Sequence, residues 1–397
     1  MEWSYQQEQA LAAVGKWLLD PGRQVFKLFG YAGTGKTTLA IHLAQQSAGH
    51  VLFAAYTGKA ASVMREKGCV NATTIHRLIY CPKDKSDRTL KDLQEELKKL
   101  LDGSVDENDP DFLQRKNEIE FQIKRETKYL AAPHFLLNDE SEIRAAHLVV
   151  IDECSMVGEQ MGQDLLSFGV KILVLGDPAQ LPPVGEGGMF TKGTPDFLLT
   201  EVHRQAKDSP IIQMATMVRE GRCLRIGNYG DSAVLIKRPS IEELMAASQV
   251  IVGLNSTRRG INATCHRQLF GDSLVAKGEK VICLRNNHDI GILNGVLSVV
   301  NAVIDEGEEY LLLDIGDGLI PVHRHHFKMI ETLMPYWQRK EAEEFDYGYA
   351  ITCHKSQGSQ WSDIIVFDES HYFKQDARKW LYTAITRAEH RVRVVHP

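Results

Sequence analysis

The feature that most constrains this chain is the segment at residues 30–38, which reads GYAGTGKTT. It matches the pattern G-x-x-x-x-G-K-[ST], in which glycines let several backbone N–H groups turn toward one phosphate chain. An apolar run predicts a strand over residues 25–29, and TLAIHLA predicts a helix over residues 38–44. A chance glycine-rich turn would lack these flanking elements, so the context favours a phosphate-binding loop.

The loop residues have distinct predicted roles. Lys36 is placed to reach the outer phosphates, and the Thr37 hydroxyl to hold Mg²⁺. The N-terminus of the following helix adds partial positive charge. The predicted phosphate contacts are Gly30, Gly33, Thr34, Gly35, Lys36, Thr37 and Thr38.

Length and composition indicate a globular protein with more than one core. The 397 residues suggest two or three domains, and 43% hydrophobic with 25% charged residues is ordinary globular usage. A net charge of -6 argues against a uniformly basic binder, but a local basic groove would suffice for nucleic acid. Seven cysteines without a C-x-x-C pair, and no long apolar run, favour a reducing cytoplasmic interior and no membrane contact.

Two further apolar runs end in polar residues. LVVIDE at residues 148–153 predicts a strand that ends in Asp152, a Mg²⁺ residue, and Glu153, a general base for the attacking water. The alternative is a pair of surface acids. KILVLGD at residues 171–177 predicts another strand, and Gln180 after it could sense a γ-phosphate. Several such strands with helices between them predict a parallel α/β sheet.

Other polar residues in the first half leave two interpretations open. A helix is predicted over residues 4–19 with Ser4 as its cap, and Gln7 near its start suits an adenine edge or a solvated first turn. A strand is predicted over residues 51–56. After it, Thr57, Lys59, Thr74 and His76 suit phosphate contacts or ordinary loop and cap chemistry.

Residues 83–131 are highly charged, with leucines at helical spacing. They predict an inserted helical hairpin that is a solvated projection, a wedge or a partner site. The second half begins near residue 200, with strands predicted at residues 250–254, 280–284, 363–367 and 391–395. Residues 294–345 predict a small antiparallel module. His323, His325 and His326 at its end favour a polar strand edge over a metal site.

Two late segments add functional candidates. TCHKSQG at residues 352–358 lies in a loop-to-helix setting, and YTAITRA at residues 382–388 lies on a late helix. Arg387 is flanked by small residues, which suggests a packed interface. An arginine supplied by a second lobe, either Arg387 or Arg204, could stabilise the transferring γ-phosphoryl group.

Taken in order, these motifs resemble those of superfamily 1 helicases, most closely the RecD/Dda-like group of superfamily 1B. The nucleotide-side matches are Gln7, GYAGTGKTT, IDECSM at 151–156, GDPAQLPPV at 176–184, HRQ at 203–205 and YTAITRA. The nucleic-acid-side matches are YTGKAA at 56–61, ATTIHRL at 72–78 and TCHKSQG. The phosphate loop alone is common, whereas GDPAQLPP together with the two late motifs is highly specific.

The resemblance implies two RecA-like P-loop lobes with parallel sheets, a helical insert in the first and a small SH3-like β insert in the second. The expected first lobe comprises residues 1–80 and 147–200, and its helical insert comprises residues 81–146. The expected second lobe comprises residues 201–295 and 346–397, and its β insert comprises residues 296–345. ATP and Mg²⁺ would lie between the lobes, bound also by Gln7, Arg204, Gly358 and Arg387. Lys36, Asp152, Glu153, Gln180, Arg204 and Arg387 would be the catalytic set.

Single-stranded DNA would cross both lobes and lead to a duplex fork, with movement 5′ to 3′. Its predicted contacts are Thr57, Lys59, Thr74, His76, Thr352, His354, Lys355 and Ser356. Residues 81–146 would carry the strand-separating pin or bind a replication or recombination protein, in a bacterial or phage-infected cell. That region is helical and charged rather than an obvious β-hairpin, and Gln360 replaces a ribose-binding Glu found in some relatives. A DNA-stimulated ATPase that grips without unwinding, and an RNA remodeller, remain as alternatives.

Overall fold

The coordinates are a computed structural model of the chain. They describe residues 3–47, 49–82, 88–102, 110–131, 135–182, 188–202, 208–284, 287, 295–316, 318–327 and 342–396.

The first sheet has six strands, each parallel to its neighbours. Their order across the sheet is Thr73–Thr74, Val51–Ala55, Leu148–Asp152, Lys171–Gly176, Val25–Gly30 and Phe197–Leu199. The strands predicted before the phosphate loop and before the two acids are therefore present, and the α/β class is confirmed. We call the part of the chain built on this sheet the first lobe.

Helices cover both faces of the first sheet, which explains why its strands read as continuous apolar runs. Successive residues alternate between the faces: Leu148 and Val150 pack into one buried cluster, Val149 and Ile151 into the other. The helices are Tyr5–Leu18, Lys36–Gln46, Gly58–Glu66, Ile75–Ile79 and Glu159–Ser167, with short 3-10 turns at Glu142–Ala145, Cys154–Met156 and Met189–Thr191.

Two long helices interrupt the first lobe. Arg88–Asp102 and Pro110–Ala131 pack against each other, and Arg115 pairs with Glu96 across them at 2.5 Å. At their base Tyr80–Pro82 pairs antiparallel with Phe135–Leu137. The helical character expected for this region agrees with these elements, while its role as a separate domain stays a prediction.

The second sheet also has six strands, and we call the part built on it the second lobe. Their order is Ala350–Thr352, Gln249–Val252, Trp361–Phe367, Ala388–Val395, Ser232–Leu235 and Gly227–Tyr229. All neighbours are parallel except the last pair. The surrounding helices are Pro210–Arg219, Ile241–Ala246, Asn255–Phe270, Cys353–Ser356 and Ala377–Ile385, with the 3-10 segment Ser370–Asp376.

Two small antiparallel sheets complete the second half. Ala302–Glu306, Tyr310–Asp314 and Leu319–His323 form one, in the region where the sequence predicts a β module. The other joins Leu297–Val299, Lys280–Cys283 and Phe345–Tyr347. The strand predicted at residues 280–284 thus pairs with the β module rather than with the parallel sheet.

None of the helices in the described part of the chain has both the length and the apolar character needed to cross a bilayer.

Candidate active site and nucleic-acid interface

A cavity of about 320 Å³ lies between the two lobes. The first lobe contributes the phosphate loop, Asp152, Glu153 and Gln180, and the second contributes Gly358 and Arg387. Residues that the sequence separates by more than three hundred positions therefore meet in one site. It lies at the carboxyl ends of the first sheet's strands, where parallel α/β sheets bind ligands.

The phosphate loop needs glycine at two kinds of position. Gly35, which precedes helix Lys36–Gln46, has a φ of 82°, in the left-handed region that glycine adopts without strain. Gly30 is required for space, because a Cβ there would lie 2.6 Å from Thr34 Oγ1 and 2.8 Å from Leu199 Cβ. The loop therefore forms a tight turn directly into the helix.

Lys36 and Thr37 are held by neighbouring polar groups. Lys36 Nζ donates to the carbonyl oxygens of Gly30 at 2.6 Å and Tyr31 at 3.1 Å. Thr37 Oγ1 donates to Asp152 Oδ2 at 3.2 Å. A hydroxyl and a carboxylate side by side fit Mg²⁺, which takes few protein oxygens and keeps several waters.

Glu153 has an unusual backbone for its residue type. Its φ of 51° and ψ of 45° are left-handed, and its N–H donates to Asp152 Oδ1 at 2.8 Å. Such strain in a non-glycine residue is often found at functional sites. Burial raises the pKa of the Glu153 carboxyl, while the nearby Arg387 guanidinium lowers it.

Gln180 lines the cavity from the loop that follows strand Lys171–Gly176. Its Oε1 is fully buried, and within the described residues no hydrogen-bond partner meets it. Buried polar atoms are normally satisfied, so this side chain is under-satisfied in this conformation. Its contact with a γ-phosphate stays a prediction.

Arg387 reaches the site from the second lobe. Its side chain is only 4% exposed, and NH1 lies 4.0 Å from Glu153 Oε1. Nε donates to the Thr383 carbonyl at 3.1 Å, and NH2 donates to Thr386 Oγ1 at 3.3 Å. Arg387 lies just beyond the end of helix Ala377–Ile385 rather than on it, and its guanidinium is held by the last residues of that helix and its cap.

Tyr382 is an interlobe residue that the sequence did not single out. Its hydroxyl accepts from the phosphate-loop amide of Ala32 at 2.8 Å and donates to Asp177 Oδ2 at 2.7 Å. Burial and the Asp177 charge raise the pKa of Tyr382, so its hydroxyl keeps the proton that it donates. Tyr382 begins the YTAITRA motif, and this position was the signal for its importance, but the motif suggested a role only for its arginine.

A second interlobe contact involves the same loop. The Arg219 guanidinium lies 3.7 Å from the centre of the Tyr31 ring, within the range of a cation–π interaction. The Leu181 N–H also donates to Thr383 Oγ1 at 2.7 Å. The two lobes are therefore in contact both at the phosphate loop and at Leu181, the residue after Gln180.

Gln7 is 3% exposed and lies behind the phosphate loop. Its Nε2 donates to the Thr34 carbonyl at 3.1 Å, and its Oε1 accepts from the Ser4 N–H at 3.0 Å in a capping box. Both ends of its amide are therefore engaged within the protein, and Gln7 supports the loop in this conformation. Its contact with adenine stays a prediction, and Arg204 lies outside the described residues.

The candidate DNA contacts of the first lobe lie at one edge of its sheet. Thr57 follows strand Val51–Ala55, and Thr74 ends the neighbouring parallel strand Thr73–Thr74. Each caps a helix by accepting a backbone N–H. Lys59 lies on the first turn of the helix that Thr57 caps, and the His76 ring meets Tyr80 edge-on at 4.7 Å. The two threonine hydroxyls therefore act as helix caps, which is one of the two roles that the sequence suggested. The basic side chains of Lys59 and His76 lie on the helices that these threonines cap.

The second-lobe candidates differ in accessibility. Thr352 ends its strand without a side-chain cap bond, and His354 and Lys355 follow on a short helix. Burial lowers the pKa of His354. Ser356 is fully buried, and its hydroxyl donates to the Cys353 carbonyl at 2.7 Å, so in this conformation it does not face a bound strand.

The three histidines of the β module do not form a metal site in the described residues. His323 lies against the Tyr310 ring at 4.7 Å, and His326 Nε2 lies 3.2 Å from Glu344 Oε2. His323 is 4% exposed and therefore packs inside the module rather than at a polar strand edge, while His325 and His326 are partly exposed.

The two α/β lobes, the phosphate loop, the acidic strand end and the second-lobe arginine have the architecture of P-loop nucleotide-binding proteins. Residues 4–237, more than half of the chain, match the family model described as an AAA domain, and residues 347–395 match the UvrD-like helicase C-terminal domain. The chain belongs to this AAA domain family, and it is similar to helicases of the RecD and Pif1 type.

Individual relatives agree with this assignment. The chain is 28% identical over 403 residues to the ATP-dependent RecD2 DNA helicase of Deinococcus radiodurans, covering 93% of this chain and 46% of the relative. It is 24% identical over 302 residues to the ATP-dependent DNA helicase PIF1 of Xenopus laevis, covering 60% and 45%. The chain thus spans about half the length of these curated relatives.

Solved structures show the same fold. Bacteroides Pif1 bound to single-stranded DNA matches with a TM-score of 0.51 and 18% identity, covering 99% of this chain and 92% of that one. A structure of two Pif1 helicases at forked duplex DNA matches with a TM-score of 0.52 and 18% identity, over the same shares.

Proposed function

We propose that this chain is an ATP-dependent DNA helicase that moves 5′ to 3′ along single-stranded DNA in replication, recombination or repair. The observation that carries the proposal is the cleft, because it brings Lys36, Asp152, Glu153 and Gln180 of the first lobe together with Arg387 of the second. Relatives named as ATP-dependent DNA helicases support the reaction.

Within the cleft, each residue has a proposed task. Lys36 binds the outer phosphates once its bonds to loop carbonyls are exchanged for phosphate oxygens, and Glu153 accepts a proton from the attacking water. Thr37 and Asp152 would hold Mg²⁺, which would supply positive charge beside the phosphates. Gln180 would sense the γ-phosphate, and Arg387 would stabilise charge that develops on the γ-phosphoryl group.

On the nucleic-acid side, we assign contacts to Thr57, Lys59, Thr74, His76, Thr352, His354 and Lys355. The hydroxyls and cations suit a phosphate backbone, which positions a strand without reading its sequence. Bacteroides Pif1, which has a similar fold, is bound to single-stranded DNA in its structure, which supports single-stranded DNA as the ligand. Because the same second lobe also supplies Arg387, closing the cleft on ATP would change the spacing between DNA contacts on the two lobes.

Replacing Arg387 tests the proposed two-lobe site. Arg387→Lys keeps the positive charge but loses the planar fork held by Thr383 and Thr386. We expect DNA-stimulated ATP hydrolysis to fall by at least about tenfold in kcat, with nucleotide binding largely kept. Turnover equal to wild type would remove Arg387 from the reaction.

A further inference from the structure

An exposed aromatic pair stands on the second lobe outside every site described above. His371 and Tyr372 lie in the segment Ser370–Asp376, between strand Trp361–Phe367 and helix Ala377–Ile385. Tyr372 is 57% exposed, and His371 is also exposed. Their ring centroids are 4.1 Å apart at an interplanar angle of 39°. The two rings are tilted toward each other, and the exposed part of Tyr372 leaves ring surface open to solvent.

The segment is firmly anchored at the residue before it. The Glu369 carboxylate accepts from the backbone N–H groups of Gly253 at 2.6 Å and Leu254 at 2.8 Å, and from Thr257 Oγ1 at 2.5 Å. These three donors fix the start of the segment to the end of the central strand Gln249–Val252.

The segment is also anchored from within. The Phe373 ring stacks on Trp380 at 5.5 Å and 21°, and Trp380 is completely buried. Since Phe373 follows Tyr372 directly, the exposed pair is attached to the core by its next neighbour. A surface preorganised in this way loses little conformational entropy when it binds a ligand.

Backbone strain marks the same place. Lys374 has a φ of 47° and a ψ of -113°, a conformation that a non-glycine residue rarely adopts. Strain of this kind persists where the surroundings over-determine the backbone, and it clusters at binding sites. Lys374 is exposed and adds a positive charge beside the two rings.

The pair borders the proposed DNA surface. The Phe373 ring lies 5.8 Å from the ring of His354, which we assign to DNA contact. The strands that lead to His354 and to Leu254, Ala350–Thr352 and Gln249–Val252, are parallel neighbours, so their carboxyl ends lie at one edge. A strand bound by His354 and Lys355 would therefore pass beside Tyr372.

We propose that His371 and Tyr372 form a stacking platform for an unpaired nucleobase of the single-stranded DNA. This inference rests on the proposed function and adds a contact with the bases to the phosphate contacts assigned above. Every base has a π-face, so the platform accepts any sequence, as a translocating protein requires. The interaction is with a ring rather than a phosphate, so it carries little of the salt dependence of binding.

The test uses the full chain and removes the tyrosine ring and the DNA bases separately and together, as in a double-mutant cycle. The affinities of wild type, Tyr372→Ala and Tyr372→Phe are measured for a fluorescent oligothymidylate and for the same strand with internal abasic sites. Salt is varied in each case. Tyr5→Ala is the matched control. Tyr5 is 73% exposed on the first helix, near strand Phe197–Leu199, which is the edge of the first sheet opposite to Thr73–Thr74.

Stacking predicts a specific pattern. Tyr372→Ala should bind the base-bearing strand at least about fivefold more weakly at every salt concentration, with the slope against salt unchanged. Its loss on abasic DNA should be much smaller, while Tyr372→Phe and Tyr5→Ala should match wild type. The rescue by phenylalanine separates stacking from a folding defect.

Three results would overturn the platform. The first is equal affinity of Tyr372→Ala and wild type for the base-bearing strand. The second is an equal loss on base-bearing and abasic strands, which would mean that Tyr372 acts on the backbone or on the fold. The third, wild type failing to bind single-stranded DNA at all, would overturn the proposed function together with the platform.

Discussion

Glu153 and Arg387 are the pair of charged residues on which the proposed chemistry of the cleft depends. The Glu153 side chain is 22% exposed on a strained backbone, and the guanidinium 4.0 Å away is held by the end of helix Ala377–Ile385. Burial disfavours the charged carboxylate, and the arginine favours it. A carboxyl group whose pKa is raised in this way suits the proposed role of general base.

Replacing Glu153 by glutamine should slow hydrolysis and leave ATP binding intact. The amide has the same shape but cannot accept the water's proton, so we expect kcat to fall by roughly 10²–10⁴-fold. The measurement is steady-state ATP hydrolysis together with binding of a fluorescent nucleotide.

The pH profile gives an independent check on the same residue. Because burial raises the Glu153 pKa, kcat of wild type should decline on the acid side at a pH above the ordinary glutamate value of about 4.3. That acid limb should be absent in Glu153→Gln. Wild-type turnover in this variant would remove Glu153 as the base.

Some of these residues could be predicted from sequence and others could not. Lys36, Thr37, Asp152 and Glu153 lie at fixed offsets from apolar strands, so local sequence alone locates them. Tyr382 was missed because its importance depends on Ala32 and Asp177, which are far away in the chain. The burial of Ser356 was missed because a local motif does not show which side of a short helix faces the core.

At the scale of elements, the helix Ala377–Ile385 is the main connection between the lobes. It carries Tyr382 against the phosphate loop, and Thr383 against the loop that contains Gln180. One rigid element thus contacts the loop on each side of the nucleotide site. This arrangement lets the position of the second lobe influence the loop.

Tyr382→Phe tests that connection. The change keeps the ring but leaves the Ala32 N–H and the buried Asp177 carboxylate short of a partner, at about 1–3 kcal/mol. We expect KM for ATP to rise and the stimulation of turnover by DNA to shrink. Both are read from ATP hydrolysis with and without single-stranded DNA.

Tyr349→Phe is a matched control for this variant. It deletes another buried tyrosine hydroxyl, one that donates to Glu279 Oε1 at 2.7 Å inside the second lobe. Its effect should be on thermal stability and not on the dependence on DNA. Identical kinetics in the two variants would show that the Tyr382 contact has no special part in coupling.

The short helix Cys353–Ser356 should act through DNA. We expect His354→Ala with Lys355→Ala to weaken DNA-stimulated turnover more than basal turnover, because the lost groups face the strand and not the nucleotide. Losing one phosphate contact should also make the slope of log binding constant against log salt concentration about 0.7 less steep for single-stranded DNA.

Lys16→Ala is the control for this variant, because it also removes one positive charge. Lys16 lies in the last turn of the first helix, near the amino-terminal ends of the strands of the first sheet. Lys16→Ala should leave the salt slope unchanged. Equal losses of basal and stimulated turnover in the double variant would argue against DNA contact at Cys353–Ser356.

Element prediction from sequence worked best where apolar runs were continuous. The strands of the two parallel sheets are buried on both faces, and such runs are recognisable without knowing their partners. Strand Lys280–Cys283 was recognised as a strand, but its antiparallel pairing with Leu297–Val299 was not. Pairing depends on the whole topology, which one short run does not specify.

The whole molecule has two α/β lobes that line one cavity and carry the proposed DNA contacts between them. The charged helices Arg88–Asp102 and Pro110–Ala131 contribute no residue to that cavity. They are the place to look for strand separation or a protein partner. Length alone left two or three domains open, and the two-lobe arrangement came from the family resemblance of the motifs.

We propose that the chain moves 5′ to 3′ along DNA, and unwinding of matched duplexes with either a 5′ or a 3′ single-stranded tail measures this, with Lys36→Ala as the inactive control. We expect ATP-dependent opening from the 5′ tail alone, and none with Lys36→Ala. Opening only from the 3′ tail, or from neither tail while DNA-stimulated ATP hydrolysis is intact, would contradict it.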